Sequence, residues 1–266
     1  ARAMTPTGSG RDRWTSAAQA AGLVLLFWWL ATGLLLGLPR TPAGLQVAAI
    51  VASLVGGSGL ALAILLRHDD SPRAAWWGFL AGGTLWAWVQ AALYGGWLVG
   101  PGAPMADALP ASKLAEAFVA LRATAWSDLA SLGILLVTAL LAVGARNRMP
   151  FWTVLLLWSG HQVARLNVFL GVANAGGDLL PQHLAYLRQF FGPAVNNPLL
   201  PVSVLVWLGV ATLLLRWGWR AGTLFQRRAG LLLGVLAGLA ALEHLFLGLP
   251  RGLSLWGVFL SGRAGG

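Results

Sequence analysis

Seven long apolar stretches, separated by turn residues and charge, set the pattern of the chain. They run over about 16–38, 43–66, 75–99, 115–144, 150–171, 201–219 and 229–249. A bilayer core is about 30 Å thick and a helix rises about 1.5 Å per residue, so about 20 apolar residues make one crossing. The breaks carry proline, which cannot continue a helix through its missing N–H, together with charge. They are Leu38-Pro39-Arg40-Thr41-Pro42, Arg67-His68-Asp69-Asp70-Ser71-Pro72-Arg73, Pro101-Gly102-Ala103-Pro104 and Arg146-Asn147-Arg148-Met149-Pro150. The break before the last stretch holds Arg216, Arg220, Arg227 and Arg228. The expected fold is therefore all-α: a polytopic membrane bundle of about seven transmembrane helices. The first stretch is too long for a secretory signal, has Phe27-Trp28-Trp29 at its middle and lacks a clean small-residue cleavage pattern. It is expected to stay as a span behind a short segment, 1–15.

One connection is long, 172–200. Long loops in compact bundles are often functional. This one contains Leu184-Ala185-Tyr186-Leu187-Arg188-Gln189-Phe190-Phe191, amphipathic enough to lie along a membrane surface as a helix, with Pro193 and Pro198 at its exit. No repeat of 20–50 residues and no long linker interrupts the chain, so residues 1–266 are expected to form one integral membrane domain.

Composition sharpens this reading. Charged residues make up 10% and apolar residues 58%, and mean hydropathy is +0.72. A soluble domain carries about 25% charge, so a soluble enzyme, a disordered chain and a nucleic-acid-binding domain are excluded. The net charge of +10 comes from 18 basic against 8 acidic residues. Basic loops that remain in the cytoplasm account for it. With the N-terminus on one side, that side receives Arg2, Arg11, Arg13, Arg67, Arg73, Arg146, Arg148, Arg216, Arg220, Arg227 and Arg228; the other receives Arg40, Lys113, Arg188, Arg251 and Arg263. The asymmetry predicts a cytoplasmic N-terminus and a C-terminus on the far side of the membrane. The absence of cysteine removes disulfides, thiolate metal sites and cysteine nucleophiles. Fifteen tryptophans suit helix ends at a lipid–water interface. Trp28, Trp29, Trp86, Trp88 and Trp158 lie deeper, as core filler or as flat surfaces for a carotenoid or chlorin.

Polar groups inside hydrocarbon are costly, so each is a candidate site. They are Gln90 in the third stretch, Arg122 and Asp128 in the fourth, His161, Arg165 and Asn167 in the fifth, and Glu243 and His244 in the seventh. Arg122 and Asp128, six residues apart, do not share a face and are expected to pair with other helices. His161 and Arg165, at i and i+4, do share one, and Asp128 or Glu243 is the expected partner of Arg165. The plainer reading makes these groups internal glue. The sharper one makes His161 or His244 an axial ligand to a bacteriochlorophyll magnesium or a haem iron. Adjacent Glu243 and His244 point apart on a helix and cannot supply two ligands from one face, and too few carboxylates remain for a di-metal site. Small-residue stripes at Gly56-Gly57-Ser58-Gly59, Gly82-Gly83 and Gly230, Gly234 and Gly238 suit close helix approach within the chain.

Several stretches together carry a family resemblance. The first is Arg165-Leu166-Asn167-Val168-Phe169-Leu170-Gly171-Val172 with Asn174, then Leu180-Pro181-Gln182-His183-Leu184, Tyr186-Leu187, Phe190-Phe191, Asn197 and Pro201-Val202-Ser203-Val204. The second is Leu242-Glu243-His244-Leu245-Phe246-Leu247-Gly248-Leu249-Pro250 with Leu255-Trp256, and the third is Phe27-Trp28-Trp29 with Thr32-Gly33. The chain resembles the PuhE family of photosynthetic complex assembly proteins, polytopic membrane proteins of anoxygenic phototrophic bacteria. The resemblance implies a role in building or holding the reaction centre and its core light-harvesting antenna in the photosynthetic, intracytoplasmic membrane. It implies binding rather than catalysis, as an assembly factor or a retained accessory subunit. The 172–200 loop, through Asn174, His183, Tyr186, Arg188, Phe190 and Phe191, would dock on a neighbour, and bacteriochlorophyll, carotenoid or lipid would be the bound groups. The family carries Trp-His-Glu where this chain has Trp88-Val89-Gln90, and His-His-Glu where it has Trp126-Ser127-Asp128. Of a family metal or tetrapyrrole site it keeps Glu243 and His244.

Other classes find little support. There is no phosphate loop with lysine, no His-Glu-x-x-His and no Gly-x-Ser-x-Gly. A transporter would show inverted repeats and paired broken helices. A retinal pump needs a lysine in the last span, and the one lysine is Lys113, near a loop. The competing class is a membrane protein that handles a metal or bacteriochlorophyll through His161, His244, Glu243 and Asp128.

Overall fold

The computed structural model describes residues 10–39, 41–101 and 112–249. Among them the chain is helical and contains no strand. The helices are α1 (Gly10–Leu36), α2 (Pro42–Leu65), α3 (Pro72–Tyr94), α4 (Lys113–Ala123), α5 (Ala125–Ala142), α6 (Met149–Leu170), α7 (Leu199–Arg220) and α8 (Leu224–Leu247). Two 3₁₀ helices, Gly177–Leu179 and Gln182–Phe190, lie in the long loop between α6 and α7. Arg2, Arg40, Gly102-Ala103-Pro104, Pro250, Arg251, Leu255-Trp256 and Arg263 lie outside the described residues.

Prolines open α2, α3 and α6, where a missing N–H costs nothing. Thr41 and Thr223 cap α2 and α8 by accepting from the N–H groups of Gly44 and Gln226 at 3.2 and 3.1 Å. Before α3, Asp69 accepts from the Ser71 N–H at 2.8 Å, and that bond holds its carboxyl below the usual carboxylate range. α1 begins six residues earlier than the expected start at 16, because the polar segment from Gly10 continues the helix.

Five helices are long and apolar enough to cross a membrane: α1 from Asp12, α2, α5, α7 and α8. Their outer faces are greasy. Leu65 is 77% exposed, Leu140 70% and Leu213 69%. Contiguous apolar surface of this kind belongs against lipid or another protein. α3 and α6 are comparably long but more polar, and α3 is buried along most of its length.

α8 is the central post, packed against α7, α1, α3 and α6. Around it Ala20, Val24, Phe79, Met149, Leu231 and Leu232 form the closed core. Glycine stripes bring the helices together. A Cβ on Gly230 would lie 2.5 Å from the Gly218 Cα, and one on Gly234 would meet Leu215. Gly56 receives Trp88, Gly59 receives Thr84, and Gly82 receives Pro150 and Thr153. These glycines serve packing within the chain, whereas Gly57 faces open space.

Among the described residues the helix ends are tied in two groups. At one end Arg67 donates to the Val143 carbonyl, and the Arg67 carbonyl accepts from the N–H groups of Arg146 and Asn147 at 3.1 Å each. Asn147 Nδ2 donates to the Ala74 carbonyl at 3.1 Å, Arg228 Nη1 to the Pro72 carbonyl at 2.7 Å, and Trp14 meets Trp219 edge-on at 5.0 Å. This is the arginine-rich end that the loop charges mark out. The opposite end holds the long loop.

Candidate functional site

The expected fourth span is not one helix. It breaks at Thr124 into α4 and α5, and the break is held from outside. Tyr186 Oη donates to the Ala123 carbonyl at 3.2 Å, and the Val99 carbonyl accepts from the Ser127 N–H at 3.2 Å. These bonds satisfy groups that the interrupted helix leaves open. Partial burial pushes the Tyr186 phenol up.

The break places Thr124 and Asp128 against α6. Arg165 pairs with Asp128, its Nη2 donates to Thr124 Oγ1 at 2.7 Å, and Thr124 Oγ1 donates to Asp128 Oδ2 at 2.8 Å. Gln162 Oε1 lies 3.4 Å from Arg165 Nη1. Arg165 and Asp128 are each about three-quarters buried. His161, one turn before Arg165, instead sets its ring edge-on to Trp86 at 5.5 Å. Removing either member strands the other charge. We expect Arg165→Ala and Asp128→Ala each to lower stability by about 2–4 kcal/mol, and the double variant to cost no more than the worse single one. Unfolding titrations of the four proteins in one detergent measure this; simple additivity would refute the coupling.

A second polar centre joins α6, α7 and α8 at the loop end. Asn167 is fully buried and donates to the Val163 carbonyl and to Ser203 Oγ at 2.9 and 3.0 Å. Asn197 Nδ2 donates to the carbonyls of Gly171 and Asn167 at 2.7 and 3.1 Å and lies 3.3 Å from Asn167 Oδ1. Its Oδ1 accepts from the Leu199 N–H at 2.8 Å, at the start of α7. Next to it, Asn196 accepts from the Ala173 N–H at 2.8 Å and donates to the Gly248 carbonyl at 3.0 Å. Asn174 binds the end of α8 through the Leu247 and Phe246 carbonyls. Gly171, at φ +117°, has no room for a Cβ because the Pro193 carbonyl would lie 2.7 Å from it. Sequence reasoning placed Asn167 in a network and reached Asn197 through the resemblance, but it missed Asn196 and the knot itself. Adjacent asparagines before Pro198 were the available signal.

The remaining candidates stand apart. Glu243 does not meet Arg165; it accepts from Trp28 Nε1 at 2.5 Å, tying α8 to α1. His244 is 1% exposed, with Nδ1 2.7 Å from the Ala240 carbonyl, its ring near Trp207, and Nε2 buried without a hydrogen-bond partner among the described residues. Gln90 is buried on α3. Arg122 is a correction: it is exposed in the last turn of α4, because the break ends the helix there instead of carrying it through a span.

The expected helix over 184–191 is a 3₁₀ helix, Gln182–Phe190. Of the residues expected to dock a partner, Asn174 and Tyr186 are bonded inward, Phe190 is buried, and Phe191 is half-buried against Gly177. His183 and Arg188 remain exposed, and Arg188 Nε donates to the Gly177 carbonyl at 2.9 Å. His183 also borders a cleft of about 390 Å³ lined by Leu38, Pro39, Leu45, Tyr94, Pro181 and Gln182.

The buried polar residues thus bind helix to helix, and comparison with known proteins places the chain among relatives. Residues 15–264 match the family described as protein of unknown function DUF3623. The chain belongs to this family. It is also similar to an uncharacterized 30.4 kDa protein in the puhA 5′ region of Rhodobacter capsulatus, 31% identical over 237 residues that cover 85% of this chain and 84% of that one. No solved structure matches it. In this DUF3623 chain, no group of three or more histidine, aspartate or glutamate side chains gathers in metal-binding geometry among the described residues.

Proposed function

We propose that this DUF3623 protein is a seven-pass scaffold of the bacterial photosynthetic membrane, with a cytoplasmic N-terminus and a periplasmic C-terminus. In this reading it binds reaction-centre or core-antenna subunits, as an assembly factor or an accessory subunit, and performs no catalysis. The observation that carries the reading is the inward use of polar chemistry. Arg165, Asp128 and Thr124 bond to one another, Asn167 bonds to Asn197, and the outer faces of α2, α5 and α7 are apolar. The relative in the puhA region fits this photosynthetic setting, as does the PuhE resemblance. α3 and α6 complete the seven passes as the polar, enclosed members of the bundle.

A chlorin held on His244 fits the residues poorly. Axial ligation needs a macrocycle face laid over Nε2, and that atom is enclosed beneath neighbouring side chains. The test is purification of the intact complex from photosynthetic membranes in mild detergent through a tag on this chain. Reaction-centre or antenna polypeptides in fixed ratio support the proposal. A partner-free chain with its own chlorin spectrum, lost in His244→Ala, would replace it with the pigment-handling reading.

A further inference from the structure

A carboxylate on the outer side of a membrane-crossing helix meets hydrocarbon where it needs water or a cation. Glu243 is such a group. It is exposed in the last turns of α8, whose preceding turns are largely enclosed by α7, α1, α3 and α6. Trp28 gives its single N–H to Oε1 at 2.5 Å, and Oε2 has no hydrogen-bond partner among the described residues. The side chains around it are apolar and face outward: Leu242 and Leu245 on α8, Leu25 and Trp29 on α1. A charge in such surroundings is costly unless a cation covers it.

The chain carries a matching cation on a different face. Arg122 is exposed in the last turn of α4, among the outward-facing Phe118, Leu121 and Trp126. The acidic side chains nearest it in sequence are engaged, Glu116 with Lys113 at 2.8 Å and Asp128 with Arg165. No ion pair among the described residues includes Glu243 or Arg122. Their depths are similar. α6 and α8 both end at the long loop, where Asn196 and Asn174 join them. At about 1.5 Å per residue, Glu243 sits about 7 Å below Gly248, and Arg165, which bonds Thr124 two residues on from Arg122, sits about 9 Å below Gly171. Copies of one chain share one orientation in a membrane, so they meet at equal depths, and this pair satisfies that condition. Within one chain the two faces are separate: α5 packs on α6, α3 and α2, whereas Glu243 lies toward α1.

We propose that a second copy of this chain docks on the α1–α8 face, with its Arg122 paired to Glu243 and its apolar α4–α5 side chains over Leu242, Leu245 and Leu25. The contact joins two different faces, so it repeats from copy to copy as a ring or a row. Opposite charges within an apolar interface fix its register and reject wrong partners. The proposal rests on the membrane-crossing character of these helices and not on any photosynthetic partner. The chain has no cysteine, so Asp178→Cys, in the exposed long loop, supplies one labelling position. Donor- and acceptor-labelled copies of the full chain are reconstituted together in dioleoylphosphatidylcholine vesicles, and energy transfer is followed as added lipid dilutes the protein. The expected result is transfer above random encounter in the parent, with association weakened about tenfold or more in Glu243→Arg and in Arg122→Glu. Transfer returns when donor-labelled Glu243→Arg is mixed with acceptor-labelled Arg122→Glu, because each then offers the other an opposite charge. Glu243→Gln, which keeps the acceptor for Trp28, also weakens association and tests the pair even if a charge reversal prevents folding. A parent that shows only random transfer, a Glu243→Gln chain that associates like the parent, or a mixture that fails to recover while both variants keep the parent's helix content would each overturn the proposal.

Discussion

Replacing Asn197 with alanine lowers the stability of the bundle by about 3 kcal/mol, and replacing it with aspartate lowers it at least as much. The first figure combines the lost amide bonds to the Gly171 and Asn167 carbonyls, about 1 kcal/mol each since both keep a backbone partner, with the lost cap on α7, about 1 kcal/mol. The second comparison separates the two roles. Aspartate is a good helix cap and would keep the acceptor for the Leu199 N–H. It cannot donate, and it would set an oxygen against the Gly171 and Asn167 carbonyls that Nδ2 now serves. Thermal unfolding of the three proteins in one detergent decides the matter. An aspartate variant as stable as the parent would show that Asn197 is only a cap and that the knot does not exist.

Gly230→Val is expected to cost about 3 kcal/mol or more, because added carbon atoms there have nowhere to go. The contact at Gly230 is backbone against backbone: Gly218 Cα and N face it at 2.5 and 2.7 Å from an added Cβ. Neither atom can rotate aside, so α7 and α8 must separate along their largest interface. Gly57→Ala is the control. Its α2 position faces open space, and alanine there gains helix propensity, about 0.5–1 kcal/mol. The pair distinguishes a lost contact from a change in the unfolded chain. If both variants shift the unfolding midpoint alike, close approach at Gly230 contributes nothing.

The helices were legible because their boundaries are chemical. Pro42, Pro72 and Pro150 sit where α2, α3 and α6 begin, and apolar composition fills what lies between. The break at Thr124 was hidden for the opposite reason. Threonine is no helix breaker, apolar residues continue on both sides, and the bonds that hold the break come from Tyr186 and Val99, distant in sequence. The Arg165–Asp128 pair was one of two arrangements that the spacing allowed. What decided between them is the place of Glu243, beside Trp28 on the other side of α8. Asn196 escaped notice because a loop has no period to mark which side chains turn inward. The inward turn of Asn174, Tyr186 and Phe190 was hidden likewise: an amphipathic stretch shows that one face is apolar, not whether that face meets lipid, a partner or its own helices.

The asparagine knot divides the bundle mechanically. At the loop end, short amide side chains clamp α6, α7 and α8 at backbone level, with little slack in any bond. At the arginine end, long flexible guanidinium arms reach across to carbonyls. The assembly is therefore expected to behave as a clothes-peg sprung at the long-loop tip, with opening motions that grow toward the arginine end. Amide exchange slows at the amides around Gly171 and Asn197 and quickens toward Arg146 and Thr223.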